Sequence, residues 1–106
     1  MSVPVSIAEL PGTIERFGDT PYLLTVSAEG GGPRATSVRV RWHGRFLMTG
    51  AGTRTAENLR ENDTVVLLWP APEPGEHALI VDGRAEVQGA DVYIQPAKAV
   101  LHVTRH

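Results

Sequence analysis

The sequence predicts a mainly β protein, a six-stranded antiparallel β-barrel with few helices. From Tyr22 onward, β-branched and apolar residues come in short runs separated by glycine, proline and acidic residues, a pattern typical of antiparallel sheets. The 106 residues are 42% apolar and 21% charged, which predicts one soluble domain over residues 1–106. Six short strands must close on themselves or pack as a sandwich to hide their edges, and at this size we expect the barrel.

The predicted strands are separated by clear turn signals. They cover residues 22–27, 34–42, 45–49, 65–69, 78–87 and 92–103. The turns are a glycine-rich segment at residues 28–33, a two-residue loop at His43 and Gly44, and residues 88–91. Residues 70–77 contain three prolines and a glycine, so we expect a loop there, either a lid or a flexible excursion.

Two helices are predicted. Near the start, Ser6 and Glu9 have the spacing of a capping box, and apolar side chains recur on one face at Ile7, Leu10, Ile14 and Phe17. Because Pro11 and a glycine fall inside this pattern, we expect two short helices or one kinked helix. The second helix lies between the third and fourth strands, in the sequence TRTAENLREND, where Thr53 or Thr55 can cap it.

Charge and composition argue against several classes of function. The formal net charge is −2, whereas proteins that bind nucleic acid or anionic membranes gain affinity from a basic surface. No apolar run approaches the roughly 20 residues that cross a bilayer, and no signal-peptide pattern is present, so we expect a cytoplasmic protein. The chain has no cysteine, so redox chemistry would need a bound cofactor.

The middle third of the chain is locally cationic. Glu57 is the one acidic residue between positions 34 and 60. The same stretch contains six arginines, which are Arg34, Arg39, Arg41, Arg45, Arg54 and Arg60. Such a segment suits a small anionic ligand.

The segment 48–59 has the composition of a phosphate site. It leaves a strand, passes Gly50-Ala51-Gly52 and enters a helix whose first turn contains Thr53, Arg54 and Thr55. Glycines allow close approach of the backbone, first-turn N–H groups point at the anion, and threonine hydroxyls and an arginine add hydrogen bonds. The alternative is a helix capped after a tight turn, and the lysine of a Walker sequence is missing.

The second predicted strand has two different faces. Its mainly apolar face contains Thr36, Val38, Val40 and Trp42, which alternate with Ser37, Arg39 and Arg41 on the cationic face. If the apolar face lines the barrel, the cationic face meets a ligand, a second subunit or water. Arginines on the exposed face of a strand are most often in contact with water.

The strand order and the run PRATSVRVRWHGRFLMTGAGTRTAENLRENDTVVLLW resemble a known family. The chain is similar to the FMN-binding split β-barrel proteins, the pyridoxamine 5′-phosphate oxidase-like group that includes flavin and deazaflavin oxidoreductases. The resemblance covers residues 22–102, including VDGRAEV and the closing PAKAVLH. It implies a split β-barrel of Greek-key type that binds FMN, with a deazaflavin cofactor as the alternative.

The resemblance also implies which residues bind the cofactor. In this family a Ser/Thr-Arg-Lys turn after the third strand holds the FMN phosphate, and that turn falls on Thr53, Arg54 and Thr55. Thr55 replaces the usual lysine, which removes one cation that Arg39 or Arg41 could restore. The remaining residues implied around the flavin are Thr36, Ser37, Val38, Arg39, Arg41, Met48 and Thr49.

By the same resemblance, the chain is a flavin-dependent oxidoreductase that acts on a small molecule. Family members are homodimers with flavin at the subunit interface, and a barrel this small also gains stability by covering apolar surface with a second copy. We expect no catalytic acid or base, since the flavin carries the redox chemistry. We expect no metal site, because His102 and His106 would lie about 13 Å apart on a strand.

Alternatives to this function remain open. The chain could be a non-enzymatic binder of FMN, a deazaflavin cofactor or haem, as the missing lysine suggests. It could also be a barrel that binds single-stranded nucleic acid along Arg34, Arg39 and Arg41, although stacking aromatics are scarce. We expect Trp42 and Trp69 to pack in the core, with a place near the flavin or the second subunit as the alternative.

Overall fold

The computed structural model of the protein describes residues 2–27 and 30–103. In chain order the elements of this part are β1 (Ser2–Val5), α1 (Leu10–Phe17), β2 (Tyr22–Val26), β3 (Pro33–Ser37), β4 (Arg41–His43), β5 (Phe46–Gly50), α2 (Thr53–Glu61), β6 (Thr64–Trp69), β7 (Ala78–Gln88) and β8 (Asp91–His102). Every strand pair is antiparallel. The prediction of a mainly β, antiparallel protein with two helices is therefore confirmed.

The prediction of six strands is wrong, because the described residues form eight. The first additional strand is β1, in a segment for which no strand was predicted. It pairs with the end of β8, with Ser2 opposite His102 and Val5 opposite Ala99. A pairing between residues about a hundred positions apart has no local signal in the sequence.

The second additional strand arises because the predicted strand 34–42 is divided into β3 and β4. Between them, the N–H of Val38 donates to the carbonyl of Pro21 at 3.0 Å, and the N–H of Val40 donates to the carbonyl of Asp19 at 2.8 Å. Residues 38–40 are therefore bonded to the loop before β2 instead of to a neighbouring strand. We call this stretch the 38–40 bend.

The strands form one sheet in the order β3-β2-β6-β7-β8-β5-β4, with β1 pairing with β8 as well. β3 and β4 lie at opposite ends of this order although they are consecutive in the chain, so the 38–40 bend connects the two ends of the sheet. Within the described ranges no ladder joins β3 to β4. Closure into a barrel of Greek-key type therefore stays a prediction.

The predicted hydrogen bonds between Ser6 and Glu9 are present, but they lie in the turn before α1, whose N-cap is Glu9 and which no side chain caps. The predicted break in the helix is wrong. The N–H of Glu9 donates to Ser6 Oγ at 3.2 Å, and the N–H of Ser6 donates to Glu9 Oε1 at 3.3 Å. α1 then runs without interruption, with Pro11 in its first turn. Proline is tolerated there because the N–H that it lacks would have no partner inside the helix.

Several predicted turns and loops lie where expected. Residues 70–77 contain no strand or helix, and a turn at residues 89–90 joins β7 to β8. The loop between β4 and β5 is Gly44-Arg45, one residue later than predicted, because His43 pairs with Phe46. Two residues of the predicted turn 28–33, Ala28 and Glu29, lie outside the described residues, as does His106.

The core is formed by the inner face of the sheet and by both helices, with Leu10, Leu47, Leu59, Leu67 and Leu79 buried. Trp69 is buried and its indole N–H donates to the carbonyl of Gly18 at 2.9 Å, which confirms its expected place. Trp42 packs against the core but is only half-buried. None of the helices in the described part of the chain is long and apolar enough to cross a membrane.

Candidate functional site

The entry to α2 is a helix N-terminus that the chain does not cap. The N-cap residue is Gly52, in an extended conformation with φ −71° and ψ 169°, and no side chain caps the helix. The expected cap by Thr53 or Thr55 is therefore wrong, because Thr53 is already the first helical residue. The first turn contains no acidic residue. Its N–H groups and the positive end of the helix dipole consequently face outward without a carboxylate from this element.

The predicted phosphate turn lies at this entry and is open to solvent. Thr53 and Arg54 are exposed and Thr55 is half-buried. None of these three side chains forms a hydrogen bond or ion pair with another residue in the described ranges. The corner is therefore not occluded by its own side chains, and Arg54 is available to an external anion.

A cavity of about 260 Å³ lies along β5 and the 38–40 bend. We call it the Arg39–Arg41 cavity, and its walls are Asp19, Arg39, Val40, Arg41, Met48, Thr49, Gly50 and Asp91. It brings together four predicted site residues. Two of them, Arg39 and Arg41, come from the second predicted strand, and Met48 and Thr49 come from the third. Gly50 precedes Thr53 by three residues, so the cavity and the α2 entry are at most about 11 Å apart at these positions.

A buried threonine holds the bend in place against β5. Thr49 is 5% exposed, and its Oγ1 donates to the carbonyl of Arg39 at 2.7 Å. Arg39 is thereby held at its backbone, while its guanidinium extends into solvent. Arg39 Nε lies 3.7 Å from Asp19 Oδ2, with the side chains 79% and 63% exposed, so this ion pair contributes little to stability.

The predicted alternation of the second strand is present in spite of the bend. Val40 is buried, Trp42 is half-buried, and Arg39 and Arg41 are exposed. Arg41 forms no ion pair within the described part of the chain. The cationic face is therefore accessible where the bend meets β4.

Three predicted site residues lie apart from the Arg39–Arg41 cavity. Thr36 and Ser37 belong to β3 and pair with β2, at the opposite end of the sheet order from β4. Val38 begins the bend and is half-buried. The structure does not bring these side chains to the walls of the cavity.

Comparison with known sequences gives only partial matches. No family model matches the chain. Over 58 residues it is 40% identical to an uncharacterized protein of Mycobacterium bovis and to one of Mycobacterium tuberculosis. The matched part is 48% of this chain and 41% of each relative, so the chain spans less than half the length of these curated relatives.

Comparison with solved structures is more extensive. A candidate pyridoxamine 5′-phosphate oxidase from Listeria innocua superposes with a TM-score of 0.72 and 20% identity, over 92% of this chain and 98% of that one. An F420 reductase has a TM-score of 0.64 and 16% identity, over 76% and 88% of the two chains. A FAD-binding protein from Mesorhizobium loti has a TM-score of 0.64 and 12% identity, over 96% and 98%.

The chain has the pyridoxamine 5′-phosphate oxidase-like fold. The resemblance predicted from the sequence is thus confirmed at the level of the fold.

Two acidic residues of the cavity in this pyridoxamine 5′-phosphate oxidase-like fold were not predicted from the sequence. Asp19 comes from the loop before β2, and Asp91 is opposite Gly50 in the pairing of β5 with β8. Neither residue has a motif around it. The hydrogen bond from the N–H of Val40 to the carbonyl of Asp19 and the register of β5 with β8, both between distant segments, place these carboxylates in one cavity with Arg39 and Arg41.

Proposed function

We propose that the protein binds FMN by its phosphate at the α2 entry and acts as a flavin-dependent oxidoreductase. The observation that carries this proposal is an uncapped helix N-terminus with a free arginine, Arg54, close to a cavity lined by two further arginines. The fold supports it, since the similar structures are named for pyridoxamine phosphate oxidation, F420 reduction and FAD binding.

The phosphate is held by groups of three kinds in this proposal. The free N–H groups of the first turn of α2 donate to its oxygens, and the helix dipole favours its negative charge. The hydroxyls of Thr53 and Thr55 donate further hydrogen bonds. Arg54 binds two phosphate oxygens at once, which a guanidinium does better than an ammonium group.

The isoalloxazine ring lies against the Arg39–Arg41 cavity, beside Met48 and Thr49. At about 260 Å³ the cavity is smaller than the range of about 300–1,000 Å³ that is usual for cofactor pockets. A single chain therefore encloses only part of the ring. In the proposal a second copy of the chain supplies the other wall, so the active form is a homodimer.

The outer face of the sheet supports this homodimer. Tyr22, Leu68, Ile80 and Val100 are in register across β2, β6, β7 and β8. With their neighbours they form the outer apolar face, defined as Tyr22, Leu24, Val26, Val66, Leu68, Ile80 and Val100, and all of them are half-buried or exposed. The solvated face of an antiparallel sheet is normally polar, and a contiguous apolar patch marks a contact surface.

When bound, FMN supplies hydride and electron transfer to a small-molecule substrate. The residues of this chain bind the phosphate, orient the ring and exclude water from it. No side chain is required as a catalytic acid or base in this proposal.

The phosphate contact is tested by titrating flavin-free protein with FMN and, in parallel, with riboflavin, which has the same ring but no phosphate. We expect FMN to bind about tenfold more tightly or better, because charge-assisted hydrogen bonds are the strong ones. Equal affinities would contradict anchoring at the α2 entry. Binding of a deazaflavin cofactor in place of FMN is the second candidate, favoured by the likeness to the F420 reductase.

Enzyme activity is tested on the flavin-loaded protein. Under anaerobic conditions, bleaching of the flavin absorption by a nicotinamide or a reduced deazaflavin donor, followed by reoxidation by an added acceptor, is expected for an oxidoreductase. A flavin that is bound but reduced by neither donor would instead indicate a cofactor carrier.

The homodimer is tested by sedimentation of two matched valine variants. Val26 and Val3 are both 44% exposed, but Val26 belongs to the outer apolar face and Val3 does not. We expect Val26→Glu to sediment as a monomer and to bind FMN more weakly, whereas Val3→Glu stays dimeric. A monomeric wild-type protein, or dissociation in both variants, would contradict the proposed interface.

A further inference from the structure

A second cavity, of about 540 Å³, lies between α1 and the 38–40 bend. We call it the α1–Trp42 cavity, and its walls include Gly12, Ile14, Glu15, Asp19, Val40 and Trp42. Its volume is within the range of about 300–1,000 Å³ that is usual for small-molecule sites. None of its residues except Asp19 and Val40 belongs to the proposed flavin site.

The walls of this cavity favour a flat apolar ligand. Ile14 and Val40 are buried beneath it, and Trp42 is half-buried, so part of its indole ring faces the open space. A partly exposed indole offers a large surface on which an aromatic ring can stack.

The charges around the cavity favour a cation. Its two titratable wall residues are the carboxylates Glu15 and Asp19, and no arginine, lysine or histidine lines it among the described residues. Gly18, also in the wall, is the C-cap of α1, so the negative end of the helix dipole points there. The exposed Arg39, at 3.7 Å, offsets the charge of Asp19, whereas Glu15 has no ion pair in the described part of the chain.

The two cavities share walls. Asp19 and Val40 line both the α1–Trp42 cavity and the Arg39–Arg41 cavity. Ligands in the two cavities would therefore contact the same two residues from either side.

We propose that the α1–Trp42 cavity binds an arylalkylamine, whose amino group is separated from the ring by at least one methylene, with the ring against Trp42 and the ammonium group near Glu15 and Asp19. Its role as the substrate subsite of an oxidoreductase rests on the proposed flavin function. A cation beside the indole gains further attraction from the ring electrons.

The amine site is tested first on flavin-free protein, with 4-phenylbenzylamine as the probe and 4-phenylbenzyl alcohol as its uncharged analogue. Calorimetry is expected to show the amine binding about threefold more tightly, the size of effect that exposed charges give. The amine should also change the fluorescence of the wild type more than that of Trp42→Phe. Equal binding of both probes would overturn the assignment of an amine.

A substitution at Gly12 fills the cavity without disturbing the fold. A Cβ at Gly12 has no heavy atom within 4 Å, so Gly12→Leu extends into the open space, whereas Gly12→Ala leaves most of it free. We expect Gly12→Leu to weaken amine binding about tenfold or more, since the ring loses its apolar contacts, and Gly12→Ala to retain it. Undiminished binding in Gly12→Leu would overturn the site.

The charge selectivity is tested with Glu15→Gln against Glu61→Gln, an exposed position on α2. Only Glu15→Gln is expected to abolish the preference for the amine over the alcohol. A preference that persists in Glu15→Gln would overturn the assigned role of this carboxylate.

The two proposals fail in distinguishable ways. If the amine binds to flavin-free protein but FMN does not bind, the flavin function fails and the amine site stands. If FMN binds and the amine leaves the flavin absorption spectrum unchanged, the cavity is not the substrate subsite and this inference is overturned.

Discussion

The two helices of this protein begin in opposite ways. No side chain caps α1, but the N–H of its first residue, Leu10, donates to the carbonyl of Ile7, and the next residue is a proline without an N–H. Its N-cap residue, Glu9, adds a negative charge. At α2, the N-cap is Gly52, no side chain caps the helix, and Arg54 is exposed in the first turn. Every helix N-terminus requires acceptors for its free N–H groups. The start of α2, with free N–H groups, no carboxylate and an exposed arginine, is therefore the better site for an external anion.

The largest expected effect is that of Arg54→Ala on FMN affinity. Hydrogen bonds to charged groups contribute about 1.5–3 kcal/mol, so the dissociation constant should rise about tenfold to a hundredfold. Fluorescence titration measures it. Arg60→Ala, at an exposed position in the last turn of α2, is the control and should leave the affinity nearly unchanged. Unchanged affinity in Arg54→Ala would show that the phosphate lies elsewhere.

The comparison is sharpened by placing a carboxylate at the N-cap of α2, where α1 has Glu9. Gly52→Asp is sterically allowed, because φ is negative and a Cβ there meets no atom within 4 Å. The new cap should raise the unfolding free energy by about 0.3 kcal/mol, while its charge weakens FMN binding about fivefold. Gly52→Asn has nearly the same shape without the charge, and it should retain more of the affinity. Tighter FMN binding in Gly52→Asp would contradict the proposed phosphate contact at the α2 entry.

Adding a cation to the first turn of α2 should strengthen FMN binding, by less than Arg54→Ala weakens it. Thr55→Lys introduces the lysine that the resemblance implied for this position, which is half-buried in the first turn of α2. FMN affinity should increase about threefold to fivefold, while riboflavin affinity stays the same. An equal gain for both ligands would mean that the lysine acts on the ring and not on the phosphate.

Removing the hydrogen bonds between Ser6 and Glu9, in the turn before α1, should affect stability alone. Ser6→Ala deletes the hydroxyl that accepts from the N–H of Glu9 and donates to Glu9 Oε1, and it should lower the unfolding free energy by about 0.5–1 kcal/mol in denaturant titrations. FMN affinity should not change. A loss of FMN affinity in Ser6→Ala would show that the start of α1 also affects FMN binding.

The smallest expected effect is a pH dependence at Glu9. The hydrogen bond from the Ser6 side chain, and then that from its backbone, lower the pKa of the Glu9 carboxyl below its usual value of 4.5. Its stabilising contribution is therefore complete above the usual pKa and is lost as the pH falls through the lowered value. Thermal unfolding should distinguish the wild type from Glu9→Gln at neutral pH, and the difference should vanish in acid.

Local patterns predicted much of the fold. The last two strands were predicted at 78–87 and 92–103 and are found at Ala78–Gln88 and Asp91–His102. The second helix, predicted in TRTAENLREND, is Thr53–Glu61. These elements depend on alternation, helical spacing and turn glycines, all of which are properties of near neighbours in the chain.

The elements that were missed depend on distant partners. Residues 34–42 alternate without interruption, yet the chain bends at 38–40 because the carbonyls of Pro21 and Asp19 accept the N–H groups of Val38 and Val40. Likewise, β1 exists through its pairing with the end of β8. No pattern within either segment contains this information.

The sequence by itself determined the class of the fold, the inward and outward alternation around Val40, and the glycine–threonine–arginine start of α2, because each is a consequence of residues a few positions apart. Only the tertiary structure decided that Arg39 and Arg41 share a cavity with Asp19 and Asp91, and that Trp42 opens onto a second cavity beside α1. Cavities are spaces between segments, and their walls are set by hydrogen bonds and strand register across the whole chain.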